Sequence, residues 1–131
     1  MKHRYMLNIG LDESVIIGNG VRIPASRAMR AVRRAARALF NFTSRIRYAV
    51  HDSATEPTII VEIATETPDF GRVRLLADVL CSQLKQEAIA VAKLDANGNV
   101  EQGVLRGPMS SRWGTFNPEY FILLHGKRAS A

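Results

Sequence analysis

The chain has 131 residues, of which 47% are apolar and 23% charged, a composition that fits a globular domain and not a disordered segment. Its formal net charge is +6, and fourteen arginines outnumber four lysines, so anions such as nucleic acid, phosphorylated metabolites or acidic protein surfaces are the natural attractors. Strongly apolar uncharged runs such as Val15–Ile17 and Phe121–Leu124 fall far short of the ~20 residues that span a bilayer, so no membrane partner is expected.

The basic start, Met1-Lys2-His3-Arg4-Tyr5, reaches Asp12 and Glu13 before any adequate apolar stretch, so it does not read as a secretory signal. One cysteine, Cys81, can form neither an internal disulfide nor a thiolate zinc site by itself. A reducing, cytoplasmic location is the expectation, with one domain over residues 1–131.

Tyr5 to Leu11 alternates Tyr5, Leu7, Ile9 and Leu11 with Met6, Asn8 and Gly10, the period of a strand. Val15–Ile17 and Val21–Ile23 flank Gly18-Asn19-Gly20 as a small hairpin. After Pro24 comes an Ala- and Arg-rich helix to Phe40. Met29, Val32, Ala36 and Leu39 lie on its inner stripe, and Arg27, Arg30, Arg33, Arg34 and Arg37 lie outside it. Asn41 to Ser44 reads as its end. Arg45 to His51 alternates as a strand, Asp52 to Pro57 reads as a connector, and Thr58 to Ile63 is the next strand.

A second helix over about 70–85 carries Val73, Leu76, Ala77, Leu80 and Leu84 on one stripe. Ala88 to Leu94 is a strand, Asp95-Ala-Asn97-Gly98-Asn99 a hairpin turn, and Val100 to Leu105 the returning strand. Beyond Arg106 lie a loop, the aromatic string Trp113 to Phe121, and a tail over 126–131 that is expected to fray.

The element order is βαββαβ with additions, an α+β arrangement. Over about residues 5–94 it resembles the ferredoxin-like two-layer sandwich, in which two helices cover one face of an antiparallel sheet. That resemblance implies a fold and no function, because the fold hosts many. It implies a second sheet face, carrying Asn8, Gly10, Arg47, His51, Ile60 and Glu62. That face calls for a cover, a second copy of the chain or a ligand.

Several residues are candidates for chemistry. The arginines at 27, 30, 33, 34 and 37 have no acid between residues 24 and 40 to neutralise them. They are either a solvated face or a contact for phosphates or an acidic protein. His51 with Glu62 across the hairpin is the best acid/base pair, if their side chains meet. Trp113, Phe116 and Tyr120 form either a recognition loop or a plug over the core. Cys81 reads as an inert buried thiol. The stretch from Asp95 lacks the twelfth-position glutamate of a calcium loop. No metal site or cofactor fingerprint is present in the sequence.

Three whole-protein readings follow. The first is a small basic non-enzymatic protein that binds an anionic macromolecule, nucleic acid or acidic protein, through the arginine-striped helix. The second is a small enzyme or ligand-binding domain with a pocket on the second sheet face around His51, Glu62, Asn8 and Trp113. The third is an accessory interaction factor of a mobile genetic element. The second face could instead join two copies of the chain as a homodimer, which would compete with a pocket there.

Overall fold

The computed structural model describes residues 2–10, 15–16, 22–23, 25–51, 54–84 and 89–106. In chain order the elements are β1 (His3–Gly10), β2 (Val15–Ile16), β3 (Arg22–Ile23), α1 (Ala25–Arg37), β4 (Asn41–His51), β5 (Ala54–Thr65), α2 (Phe70–Gln83), β6 (Ile89–Leu94) and β7 (Val100–Arg106). β2 and β3 pair with each other. The other five strands form one antiparallel sheet in the order β4-β5-β1-β6-β7. The fold is α+β. The sheet is five-stranded and not the four-stranded sheet of a bare ferredoxin-like core, because β7, the expected returning strand, adds to β6 and leaves β1 in the middle.

Alternation explains which face meets the helices. Leu7 stands opposite Val61 on one side and Val91 on the other, and Ile9 stands opposite Ile59. These residues, with Tyr5, Ile63 and Ile89, are fully buried and share one core with both helices. Each buried aliphatic side chain in such a row contributes roughly 1.5–3 kcal/mol. α1 supplies Ala28, Met29, Val32 and Ala36, and α2 supplies Val73, Leu76, Ala77, Leu80, Cys81 and Leu84. The N-terminal end of α2 is pinned to β1. The Asp69 N–H donates to the Tyr5 hydroxyl at 2.9 Å, and the Tyr5 ring stacks on Phe70 at 5.5 Å.

Two boundaries differ from the sequence expectation. α1 stops at Arg37, and the N–H groups of Leu39 and Phe40 both donate to the Ala36 carbonyl, at 3.0 and 2.8 Å. Leu39 is therefore 39% exposed and not part of the core stripe. Phe40 packs against the core instead, under the Arg72 guanidinium at 4.9 Å. Asn41 to Ser44 is strand and not helix end, because Phe42 and Ser44 turn toward the helices while Asn41 and Thr43 turn away.

The expected connector 52–57 is also mostly strand. β5 outruns β1, whose last pair is Gly10 with Thr58. Among the described residues Pro57 pairs only with Tyr48 of β4. Its missing N–H deprives no second described neighbour, a place where a sheet tolerates proline.

The turn at Asp95 closes as expected. Gly98 has φ +82°, and its N–H donates to the Asp95 carbonyl at 3.0 Å. Asp95 Oδ1 accepts from the N–H groups of Asn97 and Asn99. Among the described residues no helix is long and apolar enough to cross a membrane.

Candidate functional site on the second sheet face

The residues that alternate with the core rows form the face away from the helices. From β1 these are Arg4, Met6, Asn8 and Gly10; from β5, Thr58, Ile60, Glu62 and Ala64; from β6, Ala90, Ala92 and Leu94. The middle of this face is not open to solvent. Met6, Ile60 and Ala92 are fully buried, and Asn8 and Thr58 nearly so. An apolar floor thus lies between polar margins, with Asn8 held by a partner.

Glu62 stands at one margin. Its strand neighbours are Met6 on β1 and Thr43 on β4. Arg4, one pleat along β1, donates to Glu62 Oε1 from Nε at 3.0 Å and also from Nη2. Glu62 Oε2 has no partner among the described residues. The two side chains are 35% and 21% exposed, so the pair is half-screened, and two donors on one oxygen fix the carboxylate. The Arg4 guanidinium also reaches the β6–β7 turn. A Cβ added to Gly98 would lie 3.1 Å from Arg4 Nη1.

The sequence candidates divide. Asn8 and Glu62 do share this face, as diagonal neighbours, with Asn8 opposite Ile60. His51 does not join them. It pairs with Ala54, whereas Glu62 pairs with Thr43. Eight residues of β4 separate the two positions, roughly 26 Å at strand rise. The His51–Glu62 acid/base pair is therefore corrected to an Arg4–Glu62 ion pair. Sequence reasoning missed Arg4, although Arg4 shares the parity of Met6 and Asn8. The expected strand began one residue too late to include it. Trp113, Phe116 and Tyr120 lie outside the described residues.

Arg27, Arg30, Arg33, Arg34 and Arg37 are all exposed on α1. None is paired with a carboxylate among the described residues. The paired acids serve other cations: Glu62 holds Arg4, Asp69 holds Arg72 at 2.9 Å, and Glu66 and Glu101 approach Lys2 and Lys93 at 3.9 Å. Arg33 differs from the others in donating through Nε to the Ser44 hydroxyl, at 3.0 Å. Cys81 is buried in α2. Among the described residues no group of three His, Cys, Asp or Glu side chains is placed to hold a metal.

No protein-family model matches the chain, and no curated protein matches it. Among solved structures, a phage SAM lyase in complex with S-methyl-5'-thioadenosine is similar to it, with 15% identity and a TM-score of 0.52 over 92% of each chain. At that identity the likeness is one of fold. It nonetheless overturns the first of the three sequence readings. The non-enzymatic binder of an anionic macromolecule gives way, because the chain shares its fold, nearly end to end, with an enzyme holding a small nucleoside.

Proposed function

We propose that the protein is an enzyme that binds a sulfonium nucleoside of the S-adenosylmethionine type on the second sheet face, beside Glu62. The observation that carries this reading is the fixed carboxylate at the edge of an apolar floor. A sulfonium has a full positive charge and no N–H to donate, so it is recognised by an anion next to apolar surface and not by a hydrogen-bond acceptor alone. Glu62, 21% exposed and with Oε2 unpartnered among the described residues, supplies the anion at the margin; Met6 and Ile60 beside it are fully buried and supply a low-polarity floor, not a contact surface. The likeness to the lyase supports the choice of ligand class.

Cleavage fits this face if no proton has to move, because the strand register keeps His51 away from Glu62. The substrate's own carboxylate oxygen closes on the γ-carbon as the carbon–sulfur bond breaks, with the bonding electrons passing to sulfur. A lactone and neutral S-methyl-5'-thioadenosine result. Loss of charge at sulfur also loosens the product from Glu62. Taken without β7, the strands run β4-β5-β1-β6 about the two helices, and we read them as a βαββαβ unit with an appended strand.

The test is incubation with S-adenosylmethionine and chromatographic detection of S-methyl-5'-thioadenosine. A carboxylate–cation contact at a half-exposed position is worth about 1.4 kcal/mol, a factor of about ten. Glu62→Gln is expected to raise KM about tenfold with kcat changed less than about threefold, the pattern of lost ground-state binding. Absence of both product release and binding at millimolar substrate overturns the reading.

A further inference from the structure

A cleft lies on the other side of the molecule, where the first turns of α1 meet β4. Its volume is 330 Å³, and Ser26, Met29, Arg33, Ser44, Arg45 and Ile46 line it. Ser44 and Ile46 belong to the helix-facing row of β4 and Met29 to α1, so the cleft opens toward the helices; Arg45 alone belongs to the row of Glu62.

Three features converge on it. The first is the guanidinium of Arg33, whose Nε bond to Ser44 fixes its plane and leaves the two Nη groups as an end-on fork. Ser44 itself is only 8% exposed. Having accepted from Arg33, its hydroxyl still has a proton to donate. The second is the backbone. Among the described residues β4 is an edge of the five-stranded sheet, and successive residues of a strand direct their N–H groups to alternate sides. Among Ser44, Arg45 and Ile46, at least one N–H therefore points outward, away from β5. The third is the wall. Met29 is 5% exposed and Ile46 packs against the core, so one side of the cleft is apolar. No acid lines it.

Arginine with hydroxyl and backbone donors selects an oxyanion, and the planar end-on fork matches a carboxylate. Met29 and Ile46 favour an apolar body attached to that group. We propose that this cleft is a second ligand site, for a small carboxylate bearing a short aliphatic chain. Arg33 Nη groups hold the carboxylate, Ser44 and the outward β4 amide complete its shell, and Met29 contacts the chain.

The experiment is a titration of the full chain with butyrate, butyramide and inorganic phosphate, followed by amide and arginine Nε shifts in proton–nitrogen NMR spectra. Butyrate is expected to saturate at millimolar concentration, with shifts confined to Arg33 Nε and the amides of 44–46. Butyramide is expected to leave them unmoved. Arg33→Gln should weaken butyrate at least tenfold, and Ser44→Ala should weaken it about threefold by freeing the guanidinium plane. Arg34→Gln removes the same charge from the same helix outside the cleft, and should change affinity less than twofold. Equal loss in Arg33→Gln and Arg34→Gln overturns the site in favour of diffuse charge attraction. Phosphate binding without butyrate binding overturns the carboxylate assignment, and absence of saturation by either overturns the proposal. Retained amide dispersion in each variant shows that folding is not what was lost.

Discussion

Replacing Arg4 with Met tests the ion pair on which the second-face site is built. Met preserves the length and much of the apolar stem but removes both donors to Glu62 Oε1. The pair is exposed by 35% and 21%, so solvent discounts it below a buried bridge, while two donors from one guanidinium raise it above an ordinary surface pair. A coupling of about 1 kcal/mol follows, to be read from the cycle formed by Arg4→Met, Glu62→Gln and the double variant. Urea unfolding at fixed pH and salt supplies the four free energies. On the thermal scale, 1 kcal/mol in a chain of 131 residues is a shift of roughly 4 °C. The same cycle run on KM for S-adenosylmethionine should show Arg4→Met weakening substrate less than Glu62→Gln does, since Arg4 positions the carboxylate without supplying the charge. A stability coupling below about 0.3 kcal/mol would mean that Arg4 does not hold Glu62 in solution, and the reasoning would fail at its first step.

Other outcomes follow from the packing. Leu7 is fully buried between Val61 and Val91 under both helices, so Leu7→Ala should cost about 3 kcal/mol and lower the melting temperature by roughly 10 °C, by calorimetry. Gly98→Ala places an L side chain at φ +82° with its Cβ 3.1 Å from Arg4 Nη1. It should cost about 1–2 kcal/mol and, because Arg4 must shift, should also change KM. An altered stability with unaltered KM would show that the turn and the site are independent.

The core was largely legible in the sequence. Tyr5, Leu7 and Ile9 alternate without interruption, Val73, Leu76, Ala77, Leu80 and Leu84 keep helical spacing, and Asn97-Gly98 marks its own turn. What escaped was decided by neighbours distant in the chain. Asn41-Phe-Thr-Ser44 is polar enough to read as a helix end, yet pairing with Val61 to Ala64 makes it strand. Pro57 argues against a strand until its pairing with Tyr48 is known. At the candidate site, parity placed Asn8 and Glu62 on one face. It could not supply register, and a shift of eight residues separates the histidine reading from the observed one. Arg4 and Glu62 are 58 positions apart, so no local pattern links them.

The central position of β1 sets an order of events during synthesis. The first strand to emerge takes its partners from β5 and β6, which end at Thr65 and Leu94. At translation rates of 5–20 residues per second, β1 waits roughly 4–17 s after its own completion for β6 to be made. Until β5 is complete an apolar ribbon, Tyr5 to Ile9, has both backbone edges unsatisfied, and from then until β6 is complete it has one. Nascent-chain capture by ribosome-associated chaperones, and aggregation of truncations ending before residue 89, are the costs of building the sheet outward from its earliest segment.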